Sequence, residues 1–173
     1  MGIKGKNDRM VVLACEDCKE RNYTTVKNKK NITPMSFESK GDTIYLVGKV
    51  KDDCEYEITS DTLNAIVKCA EKELITSAHY ISSNGLFVSL LESCAPNNLG
   101  FDITSEAEIE DKEFLFGSSN YVAVVTVDDE QENDFVDFLY DNDIPVTLLG
   151  HVTKGELRMD ELVFGHITDY LPE

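Results

Sequence analysis

Cys15 and Cys18 stand at the spacing with which a pair of thiolates grips a soft metal ion. Tetrahedral zinc asks for four ligands, and no second Cys-x-x-Cys pair follows. The pair therefore amounts either to half a zinc site, completed by another chain or by His79, or to two free thiols. Redox chemistry is disfavoured, because Glu16 and Asp17 between the sulfurs oppose the thiolate. Cys94 is a second candidate nucleophile, yet it falls on an apolar helical stripe with no base nearby in sequence, which reads as a core thiol. The acidic groups Glu106–Asp111 and Asp128–Glu132 lack the central glycine and closing glutamate of an EF-hand loop. They are expected as solvated acids at helix starts, where the helix dipole favours them. His151 and His166 read as structural or exposed.

Composition limits what these groups can serve. The chain has 173 residues, of which 42% are hydrophobic, enough for one domain plus a small appendage. Its formal net charge of −17 argues against a nucleic-acid binder taken as a whole. The charge is unevenly placed: residues 1–31 hold eight Lys/Arg against four Asp/Glu, and residues 32–173 hold eight against 29. A basic arm, residues 1–33, is thus expected ahead of an acidic body, residues 34–173. Five cysteines, an odd number without a regular pattern, suit a reducing compartment better than a disulfide framework. No apolar run approaches the roughly 20 residues of a membrane helix. The stretch Met10–Ala14 is shorter than a signal h-region of roughly 7–15 residues. A cytoplasmic protein is expected.

The elements that must position the candidate groups follow from periodicity. Met10–Ala14 is β-branched enough for a short strand, and Thr43–Val50 reads as a better one after the turn signal Lys40-Gly41-Asp42. Ser60-Asp61 could cap a helix whose stripe is Leu63, Ile66, Val67, Ala70 and Leu74, with Lys51–Glu57 as a charged connector before it. A second helix over residues 84–94 gathers Leu86, Phe87, Leu90, Leu91 and Cys94 on one face. Phe101–Ile103 is a short strand, and Tyr121–Val127 is apolar throughout, as in a strand covered on both faces. A helix opened by Asp128-Asp129 runs to Asp141, where Ile144-Pro145 stops it. Val146–Val152 and Glu156–Met159, joined through Gly155, read as a hairpin. The alternation predicts an α/β (α+β) sandwich: one mixed sheet with helices packed against it, plus a short N-terminal β-containing arm.

Three stretches carry a family resemblance: Ser77-Ala-His79 with Gly85-Leu-Phe-Val88, Leu99-Gly-Phe-Asp-Ile103 with Leu115-Phe-Gly117, and Thr147–Leu157. In this order they resemble the C-terminal domain of phosphoribosylformylglycinamidine synthase, of the aminoimidazole ribonucleotide synthetase-like group, over residues 34–165. The resemblance implies an α/β sandwich that packs against a partner domain. It also implies an ATP-dependent carbon–nitrogen ligase of purine biosynthesis that uses Mg²⁺. Such chemistry needs acids to hold Mg²⁺ on phosphates and glycines to admit backbone to them.

The departures bear on that chemistry. Where the family reads Ser-Ala-His-Asp-Val-Ser-Asp-Gly-Gly-Leu, this chain reads Ser77-Ala-His-Tyr-Ile-Ser-Ser-Asn-Gly-Leu86. Where it reads Leu-Phe-Gly-Glu and then Gln-Gly-Arg, this chain has Leu115-Phe-Gly-Ser118 and Asn120-Tyr-Val122. Tyr80, Ser83 and Ser118 carry no charge at neutral pH, Val122 lacks the planar fork of arginine, and Tyr121 obstructs an approach that glycine allows. Leu86, Phe87, Phe116 and Val124 stay suited to burial. His79, Ser82, Gly85 and Gly117 are what remains of a ligand-binding site.

Residues 4–31 are similar to the start of bacterial ribosomal protein L33, with Cys15-x-x-Cys18 as half of that family's zinc pattern and a Lys/Asn-rich run suited to phosphates. Three functional readings follow. The first is a non-catalytic relative of the synthetase domain, acting by contact with a second copy or another synthetase-like domain. The second is a subunit or fragment of a split ATP-dependent synthetase. The third is a ribosome-associated protein whose residues 1–31 meet ribosomal RNA.

Overall fold

The computed structural model describes residues 10–14, 21–26, 33–49, 55–81, 83–117 and 121–171. The chain divides into two units, Met1–Ile32 and Thr33–Glu173. In the first, strand β1 (Met10–Ala14) pairs antiparallel with β2 (Arg21–Val26), Met10 opposite Val26 and Leu13 opposite Tyr23. Sequence reasoning finds β1 and misses β2, whose Arg-Asn-Tyr-Thr-Thr-Val reads as a polar run. Its aromatic and β-branched residues nonetheless suit a pleated backbone. Cys15, Cys18 and Cys54 lie outside the described residues.

In the second unit the sheet order is β4-β6-β3-β7-β5-β8-β9. Its centre is β3 (Thr43–Lys49) and β6 (Tyr121–Val127), antiparallel with Leu46 opposite Val124. β6 is buried along its whole length, as its run, apolar but for Thr126, predicts. β4 (Ser77–Tyr80) forms one edge beside β6, and β7 (Val146–Thr153) lies on the other side of β3. Beyond β7 come β5 (Gly100–Ile103), β8 (Glu156–Met159) and β9 (Leu162–His166). Among the described residues only the β5–β8 pairing is parallel, so the sheet is mixed, as expected.

The expected hairpin of residues 146–159 is not there. β5 is inserted between β7 and β8, pairing Phe101 with Val152 on one side and with Leu157 on the other. The two-residue link after Thr153 therefore crosses the start of β5. Gly100 makes this crossing possible, since a Cβ there would fall on the Glu156 carbonyl oxygen and the Thr153 hydroxyl. Thr153 Oγ1 in turn donates to Glu156 O at 2.6 Å and ties the crossing shut.

Helices cover both faces. On one side, α2 (Leu86–Cys94) and α3 (Asp111–Phe116) pack with Ile44, Leu46, Phe101, Ile103, Leu157 and Met159. On the other, α1 (Glu55–Glu71) and α4 (Glu132–Asp141) pack with Tyr45, Val47, Val125 and Val127. Adjacent residues of β3 thus serve opposite cores, as the two-residue period of a strand requires. Burying each large aliphatic side chain is worth about 1.5–3 kcal/mol.

Helix α1 corrects the sequence reading twice. It begins at Glu55, inside the expected connector, and its buried stripe is Thr62, Ala65, Ile66 and Cys69. Leu63 and Val67 are 41% and 56% exposed. Both stripes obey the same i, i+3, i+4, i+7 spacing, one residue apart. Close contact marks the buried one: Thr62 rests against Gly48, leaving no room for a side chain at residue 48. Among the described residues no helix is long and apolar enough to cross a membrane.

Candidate functional site

Ser77-Ala-His79-Tyr80 is the whole of the edge strand β4, and α2 begins at Leu86. Gly85 immediately precedes that helix with φ 91 and ψ 175, a conformation open to glycine. It also sits against the end of α3: a Cβ at Gly85 would meet Leu115 O at 2.8 Å and Phe116 Cα at 3.0 Å. The two family words Gly85-Leu-Phe and Leu115-Phe-Gly117, 30 residues apart, therefore meet in space. Gly117 closes α3 with its N–H donating to Glu113 O, and a Cβ there would strike the same glutamate.

Of the residues expected to line a ligand site, His79 turns inward. Its Nδ1 lies 2.9 Å from Ser89 O and 3.2 Å from Ser93 Oγ, and its Nε2 lies 3.3 Å from Glu92 Oε2. A carbonyl oxygen only accepts, so Nδ1 carries the proton of the first bond. Nδ1 is thus spent on α2, fastening strand to helix, while Nε2 lies beside the part-exposed Glu92 carboxylate. Ser89 and Ser93 are themselves buried and return their hydroxyls to Gly85 O and Ser89 O, one turn back. Ser82 lies outside the described residues, as do Ser118 and Asn120.

The positions where the family carries acids present other surfaces. Tyr80 is 55% exposed, and Ser83 is exposed on the turn before α2. Val122 is buried in the core beneath α1 and α4. Tyr121 is buried in the opposite core, with its hydroxyl donating to Glu106 Oε2 at 3.2 Å. Glu106 also pairs with Lys49 at 2.6 Å, and the Lys49 ammonium lies 5.6 Å from the centre of the Tyr121 ring. Its hydrogen bond to Lys49 chiefly holds the Glu106 carboxyl below its ordinary range, and the same bond raises Lys49. The pair is part-exposed, so its contribution to stability is only about 0–1 kcal/mol. Sequence reasoning took Glu106 for a solvated acid. Nothing in its neighbourhood of the sequence signals Lys49, 57 residues earlier.

Phe116, expected in the core, is 50% exposed at the rim of an aromatic cluster. Phe87 is its centre, with ring centroids of Phe116, Phe164, Phe101 and Tyr170 between 5.1 and 6.1 Å away. Leu115, one residue earlier, takes the buried place instead.

Cys94 is fully buried, and burial alone pushes its thiol up to about 12. Cys69 is likewise buried, with its thiol pushed up to about 11 by burial against a small opposing effect of Lys72. Neither is activated as a nucleophile. Glu132 accepts a hydrogen bond from the Tyr45 hydroxyl, whose pKa is raised by burial first and by that carboxylate second. His151 is exposed, whereas His166 caps the short 3-10 turn Ile167–Asp169. Among the described residues no three His, Cys, Asp or Glu side chains are grouped to hold a metal ion.

The sequence and the fold both have counterparts. Residues 35–160 match the family described as AIR synthase related protein, C-terminal domain, and residues 9–40 match ribosomal protein L33. Phosphoribosylformylglycinamidine synthase subunit PurL of Leuconostoc mesenteroides is 33% identical over 144 residues, which cover 72% of this chain and 19% of that protein. Among solved structures, T. maritima PurL complexed with ATP superposes with a TM-score of 0.67 at 13% identity, over 84% of this chain and 28% of that one. The structure of PurLQS from Thermotoga maritima gives 0.65 at 15% identity, over 79% and 26%. At such identities the likeness is one of fold. The chain spans about a fifth of the length of the curated relatives it matches.

Proposed function

The chain belongs to the AIR synthase related protein family through that family's C-terminal domain, and on this footing we propose that it is a non-catalytic relative of the PurL C-terminal domain, acting by protein contact. The orientation of His79 carries the reading. It is kept from the motif beside the replaced acids, and its Nδ1 is bonded to α2. A histidine so committed serves the scaffold.

The replaced positions point the same way. Tyr80 and Ser83 supply no carboxylate for a Mg²⁺–nucleotide, which hard cations require. Val122 stands in an apolar core, where a guanidinium would be buried without a partner. The donor set at these positions therefore does not fit Mg²⁺ and ATP, and no step is assigned to them. What the family words still do is structural: Gly85 lets α2 and α3 close on each other, and Gly117 ends α3 against Glu113.

A domain without its own chemistry acts by binding. The partner is proposed to be a second copy or another synthetase-like domain. Calorimetry with ATP–Mg²⁺ tests the reading: no heat is expected at millimolar nucleotide, and light scattering at micromolar protein should show a dimer or a complex. Saturable heat would overturn it in favour of a subunit of a split synthetase. A monomer that binds neither a copy of itself nor a synthetase lacking this domain would overturn the contact role.

A further inference from the structure

The segment ahead of β3 ends in an acid drawn out of water. Asp42 is 4% exposed, and its Oδ2 accepts a hydrogen bond from the Thr76 hydroxyl at 2.8 Å. Thr76 Oγ1 lies 2.8 Å from Thr126 Oγ1, which lies 2.5 Å from Ser77 Oγ. Asp42, Thr126 and Ser77 are buried, and Thr76 between them is half-buried. Four side chains from three parts of the sequence are strung on this line: the entrance of β3, the entrance of β4, and the end of β6.

Each hydroxyl in the line has one proton to give. An ionised Asp42 can only accept, so Thr76 donates to it, Thr126 donates to Thr76, and Ser77 donates to Thr126. A proton on Asp42 Oδ2 donates to Thr76 and frees the Thr76 proton to turn to Thr126, and that of Thr126 to Ser77, so that every bond can reverse. The two arrangements use the same atoms and distances. Mutual polarisation along a buried chain favours either whole arrangement over a mixed one.

We propose that Asp42, Thr76, Thr126 and Ser77 form a proton-operated relay, in which protonation of Asp42 reverses the hydrogen bonding delivered to Ser77, the first residue of the motif strand β4. Asp42 is the only titrating member. Burial is the largest influence and raises its pKa, the Thr76 hydrogen bond opposes this, and Asp128, Asp129 and Glu38 raise it further. Asp128 and Asp129 face it from the turn after β6, and Glu38 from the segment before β3; all three are acids.

The sign of the linkage follows. The carboxyl binds its proton more tightly in the fold than the ordinary value of 3.8 allows. Its stabilising contribution is therefore full below that value and is lost as pH rises through the folded-state pKa. Above the folded-state pKa the ionised carboxylate is a cost to the fold, removed by Asp42→Asn.

The experiment is an NMR titration of the full chain that follows Asp42 Cγ and Ser77 Cβ together. Both signals are expected to move with one midpoint, above 3.8. In Thr126→Val, Asp42 should still titrate while Ser77 no longer follows, and Thr126→Ser should restore the coupling. An Asp42 midpoint at or below 3.8 overturns the proposal. So does a Ser77 signal that ignores Asp42 in the native chain, or one that follows it undiminished in Thr126→Val. Should Thr126→Val fail to fold, Asp42→Asn decides instead: Ser77 must then be silent through the same pH range.

Discussion

On one side of the sheet, α2 and α3 press Leu86, Phe87, Leu90 and Leu115 against strands reaching from β4 to β8, with Ile167 closing the far end. On the other side, α1 and α4 press Ala65, Ile66, Cys69, Phe135 and Leu139 against β6, β3 and the start of β7. The first side is held by close backbone approaches at Gly85, Gly117 and Gly100. The second is filled mostly by side-chain volume. Its tightest approach, Gly48 against Thr62, leaves the Thr62 hydroxyl buried without a hydrogen-bond partner, alone in this among the described residues. The family words fall on the first side. Backbone contacts tolerate one residue type, whereas volume can be supplied by many, so the first side is the more exacting about its residues.

That contrast can be broken by substitution. Phe101→Ala and Phe135→Ala remove one fully buried ring from each side, and each should cost about 3–5 kcal/mol in urea unfolding. A much cheaper Phe135→Ala would mean that α1 and α4 are only loosely applied. Gly85→Ala adds a single carbon but is expected to cost roughly 1–3 kcal/mol, from its positive φ and from the α3 backbone in its way. A neutral result would deny that backbone approach holds the motif side. The smallest effects belong to α1. Leu63→Ala should stay within about 0.5 kcal/mol, whereas Thr62→Val should raise stability by about 1 kcal/mol by removing an unsatisfied hydroxyl. The reverse order would restore the stripe that the sequence suggested.

Legibility in the sequence follows the same division. The run Tyr121–Val127, apolar but for Thr126, announces a central strand, because a strand covered on both faces offers few polar positions. The stripe of α2 was readable because Gly85 and Pro96 bracket it. The phase of α1 was not: two registers one residue apart satisfy the spacing, and the contact with Gly48 marks the buried one. The inward turn of His79 depends on Ser89 O, a backbone atom of a different element, which periodicity cannot foresee. Lys49–Glu106 and Asp42–Thr76 are likewise long-range pairs made by strand order.

Strand order also governs when the sheet can be completed. β5 is gripped on one flank by β7 and on the other by β8, and the short link at residues 154–155 passes over its first residue like a clasp. A chain emerging from its N-terminus makes β5 long before either flank exists. Until residue 159 has been added, Gly100–Ile103 lacks a neighbour on at least one side, an open template for stray strands. Pairings so distant in sequence are slow to form. The clasp thus gives this fold a late final step, in which the last part of the sheet locks a strand that has been waiting since the middle of synthesis.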